Sequence, residues 1–137
     1  MGASVIVADT NAVVYLLLRS DLTPAAEIFR AMDGDWVCPP LFLYEFANVL
    51  SVHMGVGRID RDEAVRFYRR ALRMVRIEEY MPEPAWFFNM CSKRKCSAYD
   101  LQFVALAMHL GVRLLTADAE VLRAFPDVAI DLQEFNA

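Results

Sequence analysis

Short apolar runs alternate along this chain with longer stretches whose apolar residues recur at helical spacing, and no run exceeds one strand. The runs fall at residues 4–8, 36–38, 75–78, 113–116 and 128–131. Such alternation is the signature of βα units, because parallel strands need a crossover long enough to hold a helix. The expected fold is therefore α/β with a mainly parallel sheet. Local signals place the helices. Thr23-Pro24 reads as a helix start, with Thr as the cap and Pro at the first helical position. Pro39-Pro40 opens a long helix running to about His53. Asp60-Arg61-Asp62-Glu63 has the spacing of a capping box. Further helices are expected at about 12–19, 85–92 and 119–125. One more runs from Ser97 to Leu110, closed by Gly111 as a left-handed C-terminal cap.

At 137 residues the chain is expected to form one domain over 1–137, large enough to bury a core without disulfides or metals as staples. No apolar stretch approaches the roughly 18 residues of a membrane helix, and Asp9 interrupts the first apolar run too early for a secretory signal. Cys38, Cys91 and Cys96 are odd in number and contain no Cys-x-x-Cys pair, which argues against a disulfide framework or a zinc ribbon. A soluble protein of the reducing cytoplasm, with no membrane association, is the expectation. His53 and His109 fall near predicted helix ends with no partner at ligand spacing.

Four carboxylates stand where an acid is awkward to place. Asp9 follows Val5-Ile6-Val7-Ala8, Glu45 lies inside Leu41-Phe42-Leu43-Tyr44-Glu45-Phe46-Ala47, Asp100 precedes Leu101-Gln102-Phe103-Val104, and Asp118 follows Leu114-Leu115-Thr116. Each has an ordinary reading when taken alone. Asp9 and Asp118 sit between a strand and a helix, where Asp commonly caps, and Ser97-Ala98-Tyr99-Asp100 is a variant capping box. Glu45 resists this treatment: Leu41, Phe42 and Val49 lie one helical turn from it, so it shares a face with apolar side chains. Phe103, Val104 and Ala107 likewise carry Asp100 toward the interior.

In open α/β sheets, sites assemble beyond the carboxyl ends of the strands, where Asp9, Asp100 and Asp118 would face one cleft and Glu45 would enter from a neighbouring helix. Carboxylates gathered without nearby bases repel one another, and a hard divalent cation relieves this directly. Mg²⁺ or Mn²⁺ is the expected cofactor, and hydrolysis of a phosphodiester the chemistry that follows.

These four segments together resemble the PIN-domain ribonucleases, most closely the small single-domain toxins called VapC. The resemblance rests on Asp9-Thr10-Asn11-Ala12-Val13, Tyr44-Glu45-Phe46-Ala47-Asn48-Val49-Leu50, Tyr99-Asp100-Leu101-Gln102-Phe103-Val104-Ala105-Leu106-Ala107 and Leu114-Leu115-Thr116-Ala117-Asp118. It implies a five-stranded parallel sheet flanked by helices, a homodimer, Mg²⁺- or Mn²⁺-dependent cleavage of RNA, and neutralisation by a small antitoxin protein. Asp9, Glu45, Asp100 and Asp118 match the family's acidic cluster, and Asn11 and Thr116 match small polar positions that usually line it. By analogy Asp9 and Asp100 are the most direct metal ligands, with Glu45 and Asp118 completing the shell or orienting water. Glu120 reads as a first-turn helix residue rather than a fifth member of the cluster.

The net charge of −4 is unusual for a nucleic-acid binder. Its distribution is uneven: residues 57–76 hold seven arginines against three acids. Arg66, Arg69, Arg70 and Arg73 form a stripe that could face solvent, RNA phosphates or an antitoxin tail. Lys93-Arg94-Lys95 lies just before the helix bearing Asp100, a position from which it could lead RNA phosphates toward the metals. Trp86, Phe87 and Phe88 read as core or dimer interface rather than base-stacking surfaces. Two other classes compete with the nuclease. One is a catalytically inactive PIN-like module that binds RNA or protein. The other is a phosphatase with an aspartyl nucleophile, for which Lys93 and Lys95, the only lysines, precede the wrong element.

Overall fold

The computed structural model describes residues 4–135. In chain order the elements are β1 (Val5–Ala8), α1 (Thr10–Leu17), α2 (Thr23–Met32), β2 (Asp35–Cys38), α3 (Leu41–Gly55), α4 (Arg61–Met74), β3 (Val75–Ile77), α5 (Pro84–Arg94), α6 (Ala98–Leu110), β4 (Leu114–Thr116), α7 (Ala119–Ala124) and β5 (Ala129–Asp131), followed by a 3-10 turn over Leu132–Phe135. The strands form one sheet in the order β3-β2-β1-β4-β5. Every pairing is parallel, as the βα alternation predicts.

This order determines where the site lies. From β1 the chain builds outward through β2 to β3, then returns to the other side of β1 for β4 and continues to β5. The direction of winding reverses between β1 and β4, and the helices that follow those two strands diverge and leave a crevice at their carboxyl ends. Val7 pairs with Leu114 and Ala8 with Leu115, so the next positions, Asp9 and Thr116, fall side by side at that crevice.

Helix α6 anchors the core. Leu101, Phe103, Val104, Ala105, Leu106 and Ala107 are all buried. The helix is apolar nearly all round because it packs against β1 and β4. Phe42, Phe46 and Leu50 are the buried residues of α3, at intervals of four. Trp36, Phe29, Phe42, Phe46, Phe103 and Phe125 are completely enclosed, each contributing on the order of 1.5–3 kcal/mol through burial. Arg66, Arg69, Arg70 and Arg73 are exposed on α4 and line a cavity of about 420 Å³ with Glu63 and Phe67.

Most local signals are realised. Asp60 and Glu63 form the complete capping box of α4, and Gly111 ends α6 at φ 68°. Thr23 departs from expectation. Leu22 holds the cap position of α2 without a side-chain bond, and Thr23 begins the helix. Its hydroxyl accepts from the Ser20 N–H at 2.9 Å and donates to the Tyr15 carbonyl at 2.6 Å. The preceding turn offers closer partners than the helix does, so the hydroxyl ties α2 to the end of α1. Helix α1 begins two residues earlier than expected because Asp9 caps it directly. All three cysteines are free. His53 and His109 lie in the last turns of α3 and α6, the latter stacked on Tyr80 at 4.0 Å between ring centroids. Phe87 is buried, Trp86 partly so, and Phe88 exposed. Among the described residues no helix is long and apolar enough to cross a membrane.

Candidate active site

Asp9 enters the cleft from the end of β1. It is the N-terminal cap of α1: its Oδ1 accepts from the Thr10 N–H at 2.8 Å. Oδ2 accepts from the Thr116 hydroxyl, also at 2.8 Å, the contact that the β1–β4 register sets up. Only 9% of Asp9 is exposed. Burial pushes its carboxyl up to about 6, the bonds from Thr116 and Thr10 pull the other way, and the charges of Asp100 and Glu45 add to the rise.

Asp118 caps α7 through Oδ1, which accepts from the Glu120 N–H at 2.8 Å. Asp100 lies in the first turn of α6, where Ser97 is the cap and accepts from the Asp100 N–H at 3.0 Å. Burial raises the Asp100 carboxyl, the Ser97 hydroxyl opposes the shift, and Asp118 and Glu120 reinforce it. Capping and cleft placement thus coincide: the backbone that positions each acid also aims it past the strand ends.

Glu45 comes from the second turn of α3. Phe42 and Phe46 point into the core, while Glu45 occupies the flank of that stripe and stays half-buried. Its Oε1 accepts from the Thr10 hydroxyl at 2.7 Å. Burial raises this carboxyl as well, against the Thr10 bond and with the charge of Asp100.

The structure therefore brings Asp9, Glu45, Asp100 and Asp118 to one cleft of about 430 Å³, with Asn11 beside them. Thr116 belongs underneath: it is fully buried, and its Oγ1 accepts from Asn11 Nδ2 at 3.3 Å and the Asp118 N–H at 3.0 Å while donating to Asp9. Asn11 Oδ1 in turn accepts from the Ala117 N–H. One hydroxyl and one amide thus lock the ends of β1 and β4 together. Glu120 is exposed in the first turn of α7, outside the cleft lining, as its position relative to Asp118 suggests.

Three polar lining residues are missing from the expected site: Thr10, Tyr15 and Asn48. Tyr15 lies four positions after Asn11 and Asn48 three after Glu45, spacings that share a helix face with an already suspected residue. Thr10 carries no such signal, since its bond to Glu45 crosses between two helices.

Among the described residues no basic side chain lines the cleft, and none of the four acids enters an ion pair. Among the described residues no three Asp, Glu, His or Cys side chains already enclose a metal-sized point. The donor set is nonetheless the kind a hard cation takes: all oxygen, carboxylate-rich, open to water on one side, with one acid whose burial disfavours charge until a cation compensates it. Cys38 is unsuited to nucleophilic work. It is fully buried, its Sγ donates to the Ala8 carbonyl at 3.1 Å, and burial pushes its thiol well up.

Comparison with known proteins agrees with this architecture. Residues 6–129 match the sequence model of the PIN domain. Over 124 residues, 88% of this chain and 95% of the relative, the sequence is 27% identical to ribonuclease VapC3 of Pyrobaculum aerophilum. The crystal structure of PAE2754 from Pyrobaculum aerophilum superimposes with a TM-score of 0.75 at 24% identity, covering 96% of this chain and 93% of the other, and shares the fold.

Proposed function

The chain belongs to the PIN domain family, and on that premise we propose that it is a metal-dependent endoribonuclease hydrolysing RNA phosphodiester bonds, the toxin of a VapBC-type toxin–antitoxin pair. The observation that carries the reading is the gathering of four carboxylates from four elements into one cleft that no basic side chain lines among the described residues. Similarity to ribonuclease VapC3 supports RNA as the substrate.

Asp9 and Asp100 would hold Mg²⁺ or Mn²⁺ directly, with Glu45 and Asp118 completing the shell. A bound divalent cation supplies Lewis acidity, offsetting the carboxylate charge and stabilising the negative charge that builds on the phosphate oxygens. The chain's own groups do the positioning. The Thr10 hydroxyl fixes one oxygen of Glu45 and leaves the other free to orient an attacking water. Thr116 and the Thr10 N–H hold both oxygens of Asp9, so that its ligand geometry is set before substrate arrives. Asn11 keeps the loop bearing Asp118 in register with α1.

A homodimer and a small antitoxin protein complete the proposal. Membership of the PIN domain family and similarity to ribonuclease VapC3 support these partners.

Incubation of the purified protein with RNA tests the reading. Cleavage is expected only with Mg²⁺ or Mn²⁺, and Asp9→Asn or Asp100→Asn is expected to abolish it while the variants remain folded. Undiminished cleavage in thorough chelation, or normal activity in both variants, overturns the proposal. RNA binding without turnover in any metal would favour the inactive binding module, and turnover of small phosphomonoesters the phosphatase.

A further inference from the structure

The acidic cleft poses an electrostatic problem for its proposed substrate. Four carboxylates repel a polyanion, so an RNA strand held there needs opposite charge close by.

Arg94, Lys95, Glu120, Arg123 and Ala124 line another cavity of about 350 Å³, linked to the cleft through Glu120, whose N–H bonds Asp118. One of its walls is bonded to a cleft acid and the other lies a few residues along the chain from one. Lys95 precedes Ser97 by two residues, and Ser97 Oγ accepts from the Asp100 N–H at 3.0 Å. On the other wall, the Glu120 N–H donates to Asp118 Oδ1 at 2.8 Å, and Arg123 follows on the next turn of α7. Three cations face one carboxylate in this pocket.

The three cations are not equivalent. Arg94 is committed to the fold: its guanidinium donates to the Ala124 carbonyl at 2.7 Å, lies 3.7 Å from Asp127 and sits over the Phe125 ring at 5.1 Å. These contacts clasp the end of α5 to the end of α7 and hold the pocket open in advance. Lys95 and Arg123 are exposed, and among the described residues neither has a hydrogen-bond or ion-pair partner. Lys95 also closes α5 in the left-handed conformation at φ 53°, turning the chain toward α6.

We propose that this pocket is a phosphate subsite for single-stranded RNA, in which Lys95 and Arg123 hold a backbone phosphate next to the one placed at the acids. The proposal rests on the nuclease reading for its substrate, yet it makes a separate claim about binding. Lys95 and Arg123 act as positioning residues. They touch the strand away from the scissile bond, so they set affinity and leave the chemical step alone.

The test compares the wild type with Lys95→Gln/Arg123→Gln and with a charge-matched control on the α4 stripe, Arg66→Gln/Arg70→Gln. Affinity for a single-stranded oligonucleotide is measured by fluorescence anisotropy in chelator across a salt series, and cleavage separately with Mn²⁺. The first variant is expected to weaken binding about tenfold and to flatten the log–log salt dependence by about 0.7, the contribution of one neutralised single-strand phosphate. In cleavage KM rises by a similar factor while kcat stays within about twofold. RNA affinity and salt slope unchanged in the first variant overturn the subsite, and the pocket is then left to an acidic protein partner. Equal losses in the α4 control overturn it as well, because the effect is then general charge. If the wild type binds RNA through Lys95 and Arg123 but never cleaves it, the subsite stands and the nuclease reading falls.

Discussion

Asp9 holds the least comfortable charge in the cleft. Its carboxyl has risen from 3.8 to about 6 on burial, so the folded chain binds this proton more tightly than the unfolded chain does. Stability from this group is therefore greatest below about pH 4 and is lost as pH rises through about 6, a difference of about 3 kcal/mol when complete. Glu45 and Asp100 shift in the same direction and steepen the loss. In chelator, the wild-type unfolding free energy should fall relative to that of Asp9→Asn between pH 4 and 7, and Mn²⁺ should restore it at pH 7. Parallel pH profiles for the two proteins would contradict the assignment of the strained charge to Asp9. Thr10 supplies a second test at this scale. Thr10→Val removes the 2.7 Å bond to Glu45 and should reduce RNA cleavage about tenfold at a stability cost near 1 kcal/mol, roughly that of one hydrogen bond, with Thr10→Ser retaining activity. Full activity in Thr10→Val would remove Glu45 orientation from the mechanism. The two residues also mark the limit of sequence reading. Asp9 is legible because an acid after a buried strand needs a reason, whereas the Thr10–Glu45 bond depends on how α1 packs beside α3, which no local pattern encodes.

At the scale of elements, the helix caps divide into those that only stabilise and those that also aim an acid. Asp60 caps α4 with a complete box outside the cleft lining, and Ser97 caps the helix that carries Asp100. Asp60→Ala and Ser97→Ala should each cost about 1 kcal/mol by denaturant titration. Only Ser97→Ala should also lower cleavage, because the first turn of α6 then frays under Asp100. Equal activities in the two variants would show that α6 packing alone positions the acid. Caps and glycine stops are readable in advance because each is a short pattern with a local physical cause. Thr23 misleads for the same reason: the pattern suits a cap, but the hydroxyl finds the Tyr15 carbonyl and the Ser20 N–H nearer. The 3-10 turn over Leu132–Phe135 escapes notice because four residues carry no periodicity.

For the whole molecule, winding order converts scattered acids into a site. The reversal between β1 and β4 opens the crevice, the parallel register sets Asp9 against Thr116, and α3 and α6 deliver Glu45 and Asp100 to it. Alternating strands and helices make the parallel sheet legible, and the placement of the acids at strand ends and on core-facing helices makes the cluster legible. Which faces α5 and α7 turn toward each other is not legible, because the Arg94 clasp joins residues 30 positions apart. If the four acids share a divalent cation, anomalous diffraction from crystals soaked in Mn²⁺ near pH 7.5 will locate it. A manganese peak is expected in the cleft, within ligand distance of Asp9 and Asp100 and lost in Asp9→Asn; a saturated crystal of active protein with no peak there would contradict the shared-cation site.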